Sequence, residues 1–220
     1  MNNDLEQCLK WKKVHKAPSK QPLTGTYSEW KEQIASECFH QCVYCSIHEA
    51  QFGGINNYHI EHYKPQSKFR HLENDICNLF LACPICNKFK SDDWPCDSDD
   101  LNKVCYPDPS KTNYNSIFEA NSDFRLVGKF TASRYLITRL FLNRPQLIFE
   151  RRESVLRYKC SKLIENISSL IQILSDDSDN LSFILDVLRK IDLVKTNILK
   201  LDNQRRTIRP YSLLDIRKTK

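Results

Sequence analysis

Nowhere does the 220-residue sequence carry a run of apolar residues approaching the ~18 that a membrane-spanning helix needs. Its opening residues, MNNDLEQCLKWKK, also lack the apolar stretch of a secretory signal. The expectation is a soluble globular protein, with no membrane partner, placed in the cytoplasm. The missing export signal also decides how ten cysteines are read. In a small exported chain they would suggest a disulfide framework; here closely spaced thiols are better read as metal ligands.

Charge is unevenly spread. Residues 1–132 hold 15 Lys and Arg against 17 Asp and Glu, whereas residues 133–220 hold 18 against 10. The basic excess of the C-terminal part suits a polyanionic partner, although lysine-rich solvated helices have the same composition.

Along the chain, residues 1–37 read as a polar N-terminal arm with one helix over 27–37, capped by Thr26 or Ser28. Residues 38–95 hold most of the suggestive Cys and His residues and read as a compact module of hairpin and short helix. Residues 96–130 form a connector. It opens in an Asp-, Ser- and Pro-rich stretch that favours turns, and it closes with a short hairpin over 117–130, turning at Asn121, Ser122 and Asp123. Residues 131–220 are helical, with Asn143 placed as a cap ahead of Pro145.

Two stripes at alternating steps of four and three mark the long helices of that last region. One runs through Leu156, Cys160, Leu163, Ile167, Leu170 and Leu174, the other through Ile184, Val187, Ile191, Val194, Ile198 and Leu201. The short polar segment 175–180 between them implies an antiparallel helical hairpin. Leu147, Ile148, Phe149 and Phe183 are left over as outward apolar residues that could seat on a partner.

The first motif with chemistry is a pair of CxxC spacings, Cys42-Val-Tyr-Cys45 and Cys83-Pro-Ile-Cys86. Each lets two thiolates reach one tetrahedral ion at ~2.3 Å, and together they complete a closed four-cysteine zinc site that is structural and not reactive. Cys8, Cys38, Cys77, Cys96, Cys105 and Cys160 receive no role, apart from Cys96 and Cys105 as a weak second-site candidate.

Between the pairs lies Tyr58-His59-Ile60-Glu61-His62-Tyr63-Lys64-Pro65, then Asn78-Leu79-Phe80-Leu81-Ala82, with Asn87 and Lys90 directly after the last cysteine. An acidic residue, His, two residues and Pro, then Asn in a second strand and Asn on a helix, resemble the HNH endonuclease family over about residues 40–92. The resemblance implies an α+β fold: a zinc-stapled ββα-metal module followed by a mainly α-helical C-terminal region with its antiparallel hairpin. It also implies metal-dependent phosphodiester hydrolysis, with His62 as general base, Glu61 and Asn87 as ligands of a catalytic divalent ion, and Asn78 as the middle asparagine that fixes the hairpin or orients His62. Oxygen donors favour magnesium or manganese over zinc at that centre. His59 is either a further ligand or a packed strand residue. Lys90, one turn beyond Asn87, is placed to meet a phosphate, and Lys64 is a second nucleic-acid contact.

At finer grain, HIEHYKPQSKF, NLFLACPICNKFK and the helical TASRYLITRLFLNRPQLIFERR are similar to the PtuB-type HNH effectors of bacterial Septu antiphage systems, including those joined to retrons. That resemblance implies an ABC-type ATPase partner of the PtuA kind and, in retron versions, a reverse transcriptase with its multicopy single-stranded DNA. Duplex DNA is the first-choice substrate, with structured RNA such as tRNA open. The competing function is a non-catalytic zinc adaptor that binds nucleic acid or the ATPase.

Overall fold

The computed structural model of the protein describes residues 20–176 and 181–207. The chain divides into two compact units, Met1–Leu147 and Ile148–Lys220. In the first, a 3-10 turn at Tyr27–Trp30 leads into helix α1, Lys31–Glu37. The Thr26 N–H donates to the Glu29 carboxylate (3.3 Å), half of the reciprocal pairing that starts helices at Ser or Thr. The helix expected over 27–37 is therefore present with its first turn tightened, and it buries Ile34 and Ala35.

Strands β1 (His59–His62) and β2 (Leu79–Ala82) pair antiparallel, with Glu61 opposite Phe80 and His62 opposite Leu79. All four residues of β2 are buried, as a continuous apolar run covered on both faces should be. Its other edge is closed by the upstream loop: Val43 N–H donates to the Leu81 carbonyl (2.9 Å) and Leu81 N–H to the Cys38 sulfur (3.3 Å). Cys38, given no role by its spacing, thus satisfies a strand donor. Burial pushes its thiol up to about 12.

Helix α2, Pro84–Lys90, starts from Cys83, whose sulfur accepts the Cys86 N–H (3.4 Å). Pro84 sits in the first turn, where a missing N–H costs nothing. The helix stops at Ser91, in the left-handed region at φ 50°.

Beyond α2 the chain runs without regular structure to a single turn, α3 (Tyr114–Ile117), and the hairpin of β3 (Phe118–Ala120) with β4 (Leu126–Gly128). The turn forms as the Asn-Ser-Asp signal implies, because the Asn121 side chain accepts the N–H groups of Asp123 (3.0 Å) and Arg125 (2.9 Å). Helix α4, Thr131–Arg139, follows. Asp93 ties it to the irregular segment, accepting the phenols of Tyr106 (2.7 Å) and Tyr135 and pairing with Arg139 (3.0 Å).

Asn143, expected as a helix cap, pairs with β4. Its amide accepts from Leu126 N–H (2.7 Å) and donates to Leu126 O (2.9 Å), extending the β4 edge, since a carboxamide offers the same donor and acceptor as a peptide. One expectation fails where the first long helix starts, at Leu147 and Ile148. Both are buried, not outward, and Leu147 belongs to the core of the first unit.

Helices α5 (Pro145–Asp176) and α6 (Leu181–Thr207) make up most of the second unit. Every stripe residue from Leu156 to Leu170 and from Ile184 to Ile198 is buried or half-buried. Of the expected turn at 175–180, Ser175 and Asp176 still belong to α5; residues 177–180, and the side chains of Leu174 and Leu201, fall outside the described residues. The large apolar residues that are exposed lie elsewhere, among them Ile164, Ile171, Leu185 and Leu193. Among the described residues no helix is long and apolar enough to cross a membrane.

Burial works to raise the Asp93 carboxyl, but the phenols of Tyr135 and Tyr106 and the Arg139 charge outweigh it and hold the group below the usual carboxylate range. A depressed native value means stability that is present above the unfolded value of ~3.9 and is lost as pH falls through the native one. Asp93→Ala, which orphans two phenols and a guanidinium, is expected to cost about 2–3 kcal/mol in urea denaturation at pH 7. A mutant within 0.5 kcal/mol of wild type, roughly the scale of a neutral surface change, would show the cluster to be ornamental.

Candidate active site

The two CxxC turns meet. The four sulfurs of Cys42, Cys45, Cys83 and Cys86 all lie within 4.8 Å of one another, and Cys45 Sγ is 3.7 Å from Cys83 Sγ. Ligand bonds of ~2.3 Å in a tetrahedron require sulfur separations of ~3.8 Å, so the donors fit zinc in number, type and spacing. All four are buried, which keeps such a centre inert. Hydrogen bonds from the other three thiols pull Cys83 far below the usual thiol range, while burial pushes Cys42 up. A dication would replace this shared proton pool. Among the described residues no other cluster of His, Cys, Asp and Glu has metal-binding geometry, and Cys105 instead donates to the Asp100 carbonyl (3.5 Å).

Strand β1 and helix α2 border an open cleft of roughly 460 Å³. Glu61, His62 and Asn87 line it together with Lys88 and Asp92. His62 is half-buried, and its Nε2 lies 3.0 Å from the Glu73 carbonyl. A carbonyl can only accept, so Nε2 carries the hydrogen and the lone pair is left on Nδ1. The Tyr27 ring stands edge-on to the imidazole at 4.7 Å between centroids. Burial lowers the pKa of His62, keeping the ring neutral near pH 7.

Asn78 is buried just ahead of β2. Its amide accepts from Lys64 N–H (2.8 Å) and donates to the carbonyls of Lys64 (3.1 Å) and Leu72 (3.3 Å). These bonds pin the loop that leaves β1. The orienting partners of His62, the Glu73 carbonyl and Tyr27, were missed by sequence reasoning. A backbone carbonyl has no sequence signature, and Tyr27 comes from an arm to which no chemistry was assigned.

Glu61 and Lys90 form an ion pair that is closed to water, their side chains 3 % and 0 % exposed. Tyr44 also donates to Glu61 Oε1 (3.3 Å), and Lys90 donates to the His62 carbonyl (3.0 Å). Burial pushes the Glu61 carboxyl up, and Lys90 offsets part of that. The expectation of Lys90 at a phosphate is therefore corrected: one turn beyond Asn87 is the right face, but a buried carboxylate needs a counter-charge, and the long lysine stem supplies it from below.

Lys64 pairs with Asp97 (2.9 Å). His59 is exposed and lines no part of the cleft, although strand alternation places it on the side of Glu61. The exposed cations at the cleft are Lys88 and, on a second depression of roughly 330 Å³ that also includes Gln66 and Ser67, Arg70.

Residues 42–93 match the model of the HNH endonuclease family. The matched span opens on the first zinc-type cysteine and holds both CxxC pairs, Glu61, His62, Asn78 and Asn87. Neither a search of curated proteins nor one of solved structures found a match to the chain.

Breaking a buried pair from one side strands a charge. Lys90→Met is thus expected to lower stability by about 3–5 kcal/mol, and the double variant with Glu61→Gln by clearly less than the sum of the single changes. A double-mutant cycle in urea checks this, and strict additivity would rule the coupling out.

Proposed function

We propose that the protein is a metal-dependent nuclease in which His62 activates water against a phosphodiester of nucleic acid. The observation that carries this reading is the imidazole itself. Its Nε2–H is committed to the Glu73 carbonyl, so Nδ1 is a fixed proton acceptor, and it shares one cleft with Asn87 and Glu61 within a segment that matches HNH endonucleases.

A magnesium or manganese ion bound there would neutralise charge developing on the phosphate and the leaving oxygen. Asn87 and Glu61 are the residues we assign to hold it. Both recorded partners of Glu61 sit on Oε1, leaving Oε2 as the donor. Lys88 and Arg70 supply positive charge for the flanking phosphates, contacts that carry little base information, so duplex DNA is the first-choice substrate and structured RNA the second.

The finer reading rests on the resemblance of the motif segments and the helical extension to PtuB-type effectors. In it the nuclease serves antiphage defence with an ABC-type ATPase, joined in retron versions by a reverse transcriptase and its single-stranded DNA, and the complex restrains cleavage until infection. Full-rate cutting of DNA by the purified chain, unaffected by its genomic-neighbour ATPase, would defeat that part alone.

The central test is cleavage of plasmid DNA and total tRNA in magnesium or manganese. His62→Ala is expected to lower the rate by roughly 10²–10⁴-fold, the usual worth of a positioned base, with zinc content and unfolding midpoint unchanged. Equal cleavage by the mutant removes the mechanism; tight nucleic-acid binding without cleavage by the wild type favours the adaptor reading instead.

A further inference from the structure

A zinc ion held by four thiolates carries a net double negative charge, and here it would lie among buried sulfurs, where uncompensated charge is costly. The cysteine spacing says nothing of what balances it. In the fold, the balancing group comes from outside the matched segment. Arg144 directs Nη2 at Cys45 Sγ (3.5 Å) and Cys83 Sγ (3.7 Å), and Nη1 at Cys86 Sγ (3.6 Å). Three of the four sulfurs are thus engaged by one guanidinium.

The side chain is held for this task. Nη1 also donates to the Leu140 carbonyl (3.3 Å), and the Arg144 N–H donates to the Phe141 carbonyl (2.9 Å), in a corner where Phe141 adopts φ 49°. The Arg144 carbonyl in turn accepts the Leu147 N–H (3.0 Å), the first bond of α5. One residue therefore joins the sulfur centre at its side chain to the start of a long helix at its backbone. The planar fork matters: two nitrogens in a fixed plane reach sulfurs at separate positions at once, whereas an ammonium offers its three donors from a single point.

We propose that Arg144 is a positioning residue of the zinc centre: it balances the tetrathiolate charge, tightens metal binding, and makes the first turn of α5 depend on zinc loading. The proposal depends on zinc occupying the four-cysteine site and not on the nuclease reading, so its test uses no cleavage assay.

Zinc affinity is measured by chelator competition on the full-length wild type, Arg144→Gln and Arg144→Lys. Loss of a group that supports metal ligands typically weakens binding roughly 10- to 100-fold, and that is the expected fall for R144Q, with a smaller fall for R144K. Cobalt substitution reports in parallel, since the sulfur-to-cobalt charge-transfer band should shift in R144Q and shift less in R144K. Wild-type affinity in R144Q overturns the proposal. So does wild-type affinity in R144K, which keeps the charge without the fork and decides the matter even if R144Q fails to fold. A wild type that binds no zinc overturns it too, whatever the cleavage assays show.

Discussion

Four sulfur atoms have to share one small volume, and most of the first unit is arranged around that requirement. The pairs come from a loop and from the start of a helix, with Cys83 lying 38 positions after Cys45. Bringing them together lays the 38–43 loop along the free edge of β2 and sets α2 against β1. Such a module is short of regular structure: two four-residue strands and a seven-residue helix bury too little to hold themselves in register. A closed metal site supplies the missing cross-link, since its binding free energy is also folding free energy.

The candidate cleft is built on β1 and α2 of the same module, and there the controlling interaction is electrostatic. Glu61 is drawn inward by Lys90 and Tyr44 while His62, its neighbour, faces the cleft. A carboxylate gripped from within is preorganised: its position is set before any cation or phosphate arrives. The imidazole is fixed in the same manner by a backbone carbonyl and an aromatic edge. Each of these two groups thus rests on partners from scattered places: the arm, the 70–75 turn and the last residue of α2.

Much of this was legible beforehand. The CxxC spacings foretold the sulfur cluster, because adjacent thiolates at that interval can reach one ion whatever surrounds them. The alternating steps of four and three foretold which faces of α5 and α6 are covered, since helical periodicity is a local property. The 121–123 turn and the helix at 27–37 likewise follow from side-chain hydrogen bonds to nearby backbone. Where expectations failed, a distant partner had intervened. Lys90 was lost to a buried carboxylate 29 positions upstream, and Leu147 to the core.

What the sequence determined alone is therefore the identity of the donors: four cysteines at metal-ligand spacing, and one histidine flanked by a carboxylate and two asparagines. What only the tertiary structure decided is the employment of each long or amide side chain. Lys90, Lys64, Asn78 and Arg144 could each reach several partners, and which one each meets depends on where burial creates an unbalanced charge or an unpaired backbone group. That is a property of the packed chain and is absent from any local window of residues.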